Sequence, residues 1–339
     1  MKEVLTRRIF LKRASQACGV LVMLPAARSI GKLSMSDARN HACAAYYEHT
    51  ILAMGTTARM GVYAASEEEA NHVITEAFNE LKRLEALFTI FDASSEISKL
   101  NAEAGGRYLS ISSEVSSILS KSVEVSKITD KAFDVTVEPL MRLWGFRNNS
   151  NILTQLPSAD AIASAVRLIG SNQIELRATQ TTPAARLRNE GAKIDLGGIA
   201  VGYALDAMIA IIKHAGIERA FIDISGDMFA LGAPHGHDGW DVAVPDPRDT
   251  RKLIYRTRIS NEALATSGNY MSYVVFQAQK YGHIMDPRVG HSADRVLSAT
   301  VIAKCGLDAD ALSTASFVTG ETYSDSKVIL VNRSGAVRA

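Results

Sequence analysis

The sequence predicts an α+β fold, and its length of 339 residues fits one large domain or two small ones. Three observations lead to this fold class. A long amphipathic helix follows residue 66, several short apolar strands are bounded by glycine and proline turns, and strands and helices do not alternate regularly. A doubly wound parallel sheet needs that alternation, so the α+β class is favoured.

The N-terminal half contains one predicted strand and two predicted helices. Residues 57–63 alternate weakly in polarity and predict the strand. Ser66 and Glu69 match a capping box at the start of the first helix. Its apolar residues recur at steps of three and four, namely Ala70, Val73, Ala77, Leu81, Leu84 and Phe88. The second helix is predicted from Ser112 or Ser113 to about residue 128.

The C-terminal half combines short strands with two more helices. Residues 193–196 predict a strand that Gly197-Gly198 ends. An apolar helix is predicted to follow from about residue 199 to 215, with Gly216 as its C-terminal cap. The remaining predicted elements are strands at 219–224, 242–244 and 296–303, a helix at 308–318, and a terminal hairpin that turns at 332–335.

The composition indicates an ordinary globular protein with a small-molecule site rather than a nucleic-acid surface. The chain has 339 residues, of which 47% are hydrophobic and 22% charged, so it can bury a large core. Its formal net charge is only +1, which argues against a strongly basic surface for nucleic acid. A small anionic ligand remains compatible, because a few local donors suffice to bind it.

The N-terminus matches an export signal. Arg7-Arg8 precede Phe10, Leu11 and Lys12, and an apolar run spans residues 14–27. This order is typical of a twin-arginine signal, and the run is too short to span a bilayer. We expect residues 1–45 to be signal and linker, and residues 46–339 to be the folded domain. The protein would be periplasmic, or membrane-associated if the signal stays uncleaved. A basic tail beside a buried helix is the alternative.

The strongest local signal for chemistry lies in residues 308–320. Asp310 and Thr314 are four residues apart, so a helix places both on one face. A carboxylate and a hydroxyl are hard oxygen donors of the kind that Mg²⁺ prefers. The alternative is that Asp310 is an acidic residue near the helix N-terminus that the helix dipole stabilises, and that Thr314 is merely packed. The two readings are about even on this segment alone.

The second signal is the sequence KIDLGGIAVGYALD at residues 193–206. Glycines let a phosphate approach the backbone, and the exposed N–H groups of a helix start favour an anion. The spacing matches neither the Rossmann nor the P-loop pattern, so an ordinary tight turn is the better interpretation by itself. A backbone carbonyl at this turn could also serve as a metal ligand.

Three further segments are ambiguous when taken singly. His283 could act as a general base, although a lone histidine is more often structural. Residues 131–146 could line a pocket for flat rings or simply pack in the core. Residues 87–101 hold an aromatic cluster followed by a turn rich in serine and aspartate. The chain contains no serine-hydrolase elbow, no CxxC pair and no HExxH zinc motif.

Together these segments resemble the ApbE family of FAD:protein FMN transferases. The matching pieces occur in the family's order and span residues 54–320. They are AMGT, LFTIFDASSEISKLN, KAFDVTVEPLMRLWGF, KIDLGGIAVGYALD, ISGDM, ALATSGNY, GHIMDP and ADALSTASFVTG. Each piece is weak evidence, but the ordered set is specific. The resemblance implies a single ApbE-like domain in which helices flank mixed or antiparallel sheets, with a flavin-binding cleft.

The resemblance also implies roles for individual residues. The Mg²⁺ ligands would be Asp310, Thr314 and the backbone carbonyl of Gly198. His283 would be the catalytic base. The residues that contact FAD would be Met54, Phe91, Ala132, Phe133, Asp134, Val201 and Ile284. The family usually has lysine at the position of Val201, and valine offers the cofactor neither a charge nor a hydrogen bond.

Family members transfer FMN from FAD to a threonine hydroxyl of a target protein and release AMP. The resemblance therefore implies Mg²⁺ as cofactor and FAD as substrate. The implied partner is an acceptor protein with a target threonine, typically a subunit of a membrane redox complex. Two other functions stay open. An FAD pyrophosphatase would use water in place of the threonine, and a non-catalytic periplasmic FAD-binding protein would do no chemistry.

Overall fold

An eight-stranded sheet forms the centre of the computed structural model, which describes residues 44–148, 150–177, 182–323 and 326–339. The strand order is β1-β2-β6-β7-β10-β15-β16-β17, and every pairing between neighbours is antiparallel. These strands are β1 (Ala45–Ala53), β2 (Thr56–Ala64), β6 (Ala220–Ile224), β7 (Asp227–Leu231), β10 (Glu262–Gly268), β15 (Val296–Ala303), β16 (Lys327–Asn332) and β17 (Val337–Arg338).

Smaller sheets surround this central sheet. Their strands are β3 (Leu109–Ser110), β4 (Ile174–Arg177), β5 (Ala184–Leu187), β8 (Trp240–Asp246), β9 (Asp249–Ile259), β11 (Tyr273–Phe276), β12 (Gln279–Gly282), β13 (Met285–Asp286) and β14 (His291–Ser292). They pair as β3-β5-β4, β8-β9, β11-β12 and β13-β14. The α+β class and the antiparallel sheets are therefore confirmed.

Seven α-helices are present in the described residues. They are α1 (Glu67–Phe88), α2 (Glu96–Ala102), α3 (Ser113–Ile128), α4 (Glu138–Leu143), α5 (Ala159–Val166), α6 (Ala200–His214) and α7 (Gly306–Thr319). The main core lies between one face of the central sheet and helices α1, α6 and α7. The β8-β9 hairpin covers a second apolar cluster around Trp240 and Phe221. No helix in the described ranges is long and apolar enough to cross a membrane.

The predicted caps and buried positions of the helices are confirmed. Ser66 caps α1 by accepting the N–H of Glu69, and all six predicted apolar positions of this helix are buried. Ser112 caps α3 in the same way, by accepting the N–H of Val115. Gly216 follows α6 with φ of 78°, a left-handed conformation that glycine adopts without steric cost. The predicted export signal lies outside the described residues, apart from residues 44 and 45.

One strand prediction was wrong, and the strand predicted at residues 242–244 is confirmed but longer than expected. Residues 193–196 form no strand, because a side chain occupies the backbone groups that a neighbouring strand would use. The Asn101 amide accepts the N–H of Ile194 at 2.6 Å and donates to its carbonyl at 2.8 Å. Strand β8 extends beyond residues 242–244 and continues through Pro245, where the ladder with β9 shifts register.

Candidate active site

The crossing of α6 and α7 positions the most important predicted side chain. The Asp206 carboxylate of α6 accepts the N–H groups of Gly306 and Leu307, at 2.6 and 3.0 Å, and so caps α7. Gly202 of α6 packs directly on the Gly306 backbone. A Cβ atom on Gly202 would lie 2.8 Å from the Cβ of Asp310 and even closer to the Gly306 carbonyl. Only glycine permits this close approach.

Replacing Gly202 with alanine is expected to destabilise the protein by about 2–3 kcal/mol, the usual cost of overpacking a rigid core. Alanine has the higher helix propensity, by about 1 kcal/mol, but the clash is with backbone that cannot rotate away. Urea unfolding followed by circular dichroism measures the change. A variant that is equally or more stable would show that α6 and α7 are not this close.

Asp310 lies in a buried, polar setting. It is 6% exposed, and its Oδ2 accepts the N–H of Gly202 at 2.9 Å. Burial raises its pKa to about 7, and the Gly202 hydrogen bond opposes this shift. Asp227 lies close enough for the two carboxyls to interact, and desolvation together with Asp310 raises the pKa of Asp227 well above its usual range. Two such carboxyls favour a proton or a cation between them.

Hydroxyl groups gather around Thr314, one turn after Asp310. The Ser267 hydroxyl lies 3.2 Å from the Thr314 hydroxyl and 2.8 Å from that of Ser313. Gly198 faces the same hydroxyl, since a Cβ atom built on Gly198 would lie 3.2 Å from Thr314 Oγ1. The structure thus brings together the three residues predicted to bind a metal, Gly198, Asp310 and Thr314.

The chemistry of this donor set fits Mg²⁺. It offers the Asp310 carboxylate and the Thr314 hydroxyl, both hard oxygen donors, next to the Gly198 backbone and with the Asp227 carboxyl nearby. Within the described ranges, no group of three or more histidine, cysteine, aspartate or glutamate side chains could hold a metal ion. A set with few carboxylates leaves coordination positions for water and phosphate, as Mg²⁺ sites usually do.

The segment from Ala132 to Asp134 borders this set of oxygen donors. The Phe133 ring lies 3.4 Å from where a Gly198 Cβ atom would be. The Asp134 carboxylate is fully engaged within the protein, since it accepts hydrogen bonds from Thr136 N–H, Thr136 Oγ1 and Ser126 Oγ. Its side chain therefore fixes the local turn, and any contact of this residue with a ligand would come from its backbone.

His283 follows β12 in a defined orientation. Its Nδ1 lies 3.2 Å from the carbonyl oxygen of Ser272, which can only accept a hydrogen bond. Nδ1 therefore carries the proton, and Nε2 keeps a lone pair. Burial lowers the pKa of His283 below its ordinary value, Ser272 and Asp195 oppose the shift, and Arg147 adds to it. The ring is thus neutral at physiological pH.

Ile284 and Met54 lie on turns near this region. The Ile284 N–H donates to the side chain of Asn269, which directly follows β10 and its residue Ser267. Met54 forms the β1-β2 turn with φ of 51°. This turn lies at the same end of the central sheet as Asp227, because the Ser225 N–H donates to the Thr57 carbonyl.

Phe91 and Val201 complete the set of predicted flavin contacts. Phe91 is 56% exposed after the end of α1, as an aromatic side chain that stacks on a ligand would be. Its ring centroid lies 5.8 Å from the guanidinium carbon of Arg147. Val201 is half-buried in the first turn of α6, between the metal-ligand candidate Gly198 and Gly202.

Sequence reasoning assigned no role to several residues that the structure places here. Ser267 and Asn269 lie in the ALATSGNY segment and Asp227 in the ISGDM segment, so the family pattern did mark their positions. Arg147 had no such signal, because its partner Asp195 lies 48 residues away in the sequence.

Comparison with known proteins identifies the family and the fold. A sequence profile of the ApbE family matches residues 54–331. The FAD:protein FMN transferase of Klebsiella pneumoniae (strain 342) is 30% identical over 278 residues, which are 81% of this chain and 83% of that protein. The FAD:protein FMN transferase of Treponema pallidum (strain Nichols) is 28% identical over 290 residues, covering 81% and 79%.

Two solved structures share the fold. The ApbE protein of Thermotoga maritima superposes with a TM-score of 0.78 and 31% identity, over 87% of this chain and 96% of that chain. The flavinyl transferase ApbE of Pseudomonas stutzeri, in its apo form, gives a TM-score of 0.74 and 25% identity, over 87% and 93%.

Proposed function

The chain belongs to the ApbE family, and from this premise we propose that it transfers FMN from FAD to a threonine hydroxyl of a target protein, with release of AMP and with Mg²⁺ as cofactor. The observation that carries the proposal is the convergence of Gly198, Asp310 and Thr314 from two distant segments. The FAD-contact candidate Phe133 touches the same cluster.

The metal-binding residues would set the charge at the reacting phosphates. Asp310, Thr314 and the Gly198 carbonyl would hold the ion, with Asp227 nearby. When bound, Mg²⁺ neutralises pyrophosphate oxygens and the charge that develops on the leaving AMP. The N–H of Gly202 orients the Asp310 carboxylate, and the close α6-α7 crossing brings that N–H within reach.

His283 would act on the acceptor. The threonine oxygen attacks the phosphorus on the FMN side, a new P–O bond forms, and the bond to the AMP oxygen breaks. The hydroxyl proton passes to Nε2 of His283, which is free to accept it because Nδ1 donates to Ser272. AMP leaves with the electrons of the broken bond. The acceptor gains one FMN in phosphate ester linkage.

The dependence of FMN transfer on pH should report the protonation of His283. Because the pKa of His283 is lowered from 6.5, the neutral ring persists into mildly acidic solution. Transfer measured as kcat/KM at saturating Mg²⁺ should therefore stay level at neutral pH and fall only as the pH drops through a value below 6.5. A decline that is centred above pH 7 would contradict this assignment.

The direct test uses purified protein, FAD, Mg²⁺ and a redox-complex subunit that carries a candidate acceptor threonine. Intact mass of the subunit should increase by one FMN, and the same subunit with alanine at that threonine should stay unmodified. AMP and free FMN without a mass gain would indicate an FAD pyrophosphatase. Tight FAD binding without any turnover would indicate a non-catalytic binding protein, which the valine at position 201 favours.

Location and partner form part of the same proposal. The paired arginines and the apolar run at the N-terminus support twin-arginine export, which carries proteins that are already folded. The acceptor would then be a subunit of a membrane redox complex on the periplasmic side. Fractionation of cells that express the full chain tests the location, and replacement of Arg7-Arg8 by two lysines should leave the protein in the cytoplasm.

A further inference from the structure

The carboxylate of Glu138 is fully buried beside the candidate site and is not one of the proposed ligands or catalytic groups. It is 0% exposed at the start of α4, and burial raises its pKa. Arg147 donates to its Oε2 from Nε at 2.8 Å and from Nη2 at 2.5 Å. Arg142, which is 56% exposed, lies 2.9 Å from Oε1. A buried ion pair is costly to desolvate and is weak evidence for stability, so its retention calls for another reason.

Arg147 connects this carboxylate to the glycine turn. Its Nη2 also donates to Oδ2 of Asp195, so one guanidinium bridges two carboxylates. The other oxygen of Asp195 accepts the N–H of Gly197 at 2.8 Å. Gly197 precedes Gly198, whose carbonyl is a proposed metal ligand. A chain of direct contacts therefore runs from the buried Glu138 to the metal-binding set.

The same guanidinium faces the flavin-contact side of the site. Its carbon lies 5.8 Å from the Phe91 ring centroid, within cation–π distance. Both Arg147 and Asp195 act electrostatically on His283. Arg147 therefore acts on three parts of the site: on the glycine turn through Asp195, on the exposed Phe91 ring, and electrostatically on His283.

We propose that Arg147 is a positioning residue: through Asp195 it holds the Gly197-Gly198 turn in the geometry that FAD and Mg²⁺ binding require, and Glu138 braces it. The planar guanidinium bonds Glu138 through Nε and Nη2 while Nη2 also reaches Asp195, and the ammonium of lysine, as a compact point charge, does not reproduce this fixed fork. The inference rests on the proposed function, which makes Gly198 a ligand. In this role Arg147 acts through Asp195 rather than on the metal or the reacting atoms.

Equilibrium binding separates this role from simple stability. Arg147→Met should lower the melting temperature, because the buried Glu138 then keeps only the exposed Arg142 as a partner. Arg147→Met combined with Glu138→Leu should restore the melting temperature, because the whole ion pair is replaced by apolar groups. The dissociation constants for FAD and Mg²⁺ should stay raised in both variants, by about 10- to 100-fold, the usual effect of losing an outer contact of a metal site.

Arg142→Met is the matched control. Arg142 also pairs with Glu138 but does not contact Asp195 in the described hydrogen bonds and ion pairs, so FAD and Mg²⁺ affinities should match wild type. If the double variant regains both its melting temperature and its FAD affinity, Arg147 is merely structural and the proposal fails. Where the double variant does not fold, Arg147→Lys decides: weaker FAD binding at an unchanged melting temperature supports the proposal, and unchanged binding overturns it.

These outcomes are independent of turnover. A wild-type protein that binds FAD and Mg²⁺ but moves no FMN would sink the proposed function, while the affinity series would still decide the role of Arg147. Conversely, normal FMN transfer together with unchanged FAD affinity in the Arg147 variants would reject only the positioning role. In the kinetic assay, loss should appear mainly in KM for FAD and less in kcat at saturation.

Discussion

Replacing Asp310 with alanine or asparagine is expected to reduce Mg²⁺-dependent FMN transfer by about a thousandfold or more, since the metal supplies several kcal/mol of charge stabilisation at the phosphates. Both replacements remove the carboxylate from the donor set. Asparagine keeps a carbonyl oxygen for the Gly202 N–H and so preserves the local packing. Transfer measured across a Mg²⁺ titration gives the result.

The fold should survive this change, and the sign of the pKa shift explains why. Because the pKa of Asp310 in the folded protein is raised to about 7, the folded state holds the proton more tightly than the unfolded chain does. Above pH 7 the ionised carboxylate therefore costs stability. Asp310→Asn should melt at the same temperature as wild type or higher at pH 8 without metal. Mg²⁺ should raise the melting temperature of wild type only.

Asp308 provides the control on the same helix. It is partly exposed and pairs with Lys121 at 3.0 Å, so Asp308→Asn removes an acidic group from α7 without altering the donor set. This variant should keep its Mg²⁺ response. Metal-dependent transfer that is equal in the Asp310 and Asp308 variants would refute the proposed metal site.

Replacing His283 with alanine is expected to lower kcat by about 10²- to 10⁴-fold, the usual contribution of a positioned general base. FAD binding should change little, because the proposed contact of His283 is with the acceptor hydroxyl. The decline of activity below pH 6.5 should disappear in the residual reaction, because no group with that lowered pKa then accepts the proton. Single-turnover transfer with saturating FAD and Mg²⁺ measures the chemical step.

His237 offers the matching control for His283. It is exposed in the connection between β7 and β8, and its replacement by alanine should leave both kcat and the pH profile as in wild type. If the His283→Ala and His237→Ala variants transferred FMN at equal rates, His283 would not be the base that accepts the proton of the acceptor hydroxyl. Weakened FAD binding with unchanged kcat would instead assign His283 to substrate binding.

The helices could be predicted from the sequence because their signals are local. The apolar spacing of α1, its capping box and the glycine after α6 all lie within one element. The failed strand at residues 193–196 shows the limit. Those residues have an apolar, strand-like pattern, but their hydrogen-bond partner is the amide of Asn101, which comes from α2. No local pattern can reveal a side chain that takes the place of a neighbouring strand.

In the candidate site, too, the local features could be predicted and the long-range contacts could not. The helical spacing of Asp310 and Thr314 made a shared face predictable, and the glycine pair indicated a close approach. Other parts of the site depend on contacts that are distant in the sequence. Ser267 contacts Thr314, 47 residues away. Asp227 accepts a hydrogen bond from Thr266, 39 residues away, and Arg147 bonds Asp195, 48 residues away. These contacts form only in the folded protein: pairing of β7 with β10 brings Asp227 to Thr266, and packing of α7 against β10 brings Thr314 to Ser267.

One reaction tests the central claim most directly. The purified protein is incubated with FAD, Mg²⁺ and an acceptor subunit, and the intact mass of the acceptor and the AMP released are measured in the same sample. The proposed function predicts one FMN added to the acceptor threonine for each AMP released, and neither product with Asp310→Ala. Release of AMP with free FMN and an unmodified acceptor would contradict the transferase, and so would FAD that stays intact throughout.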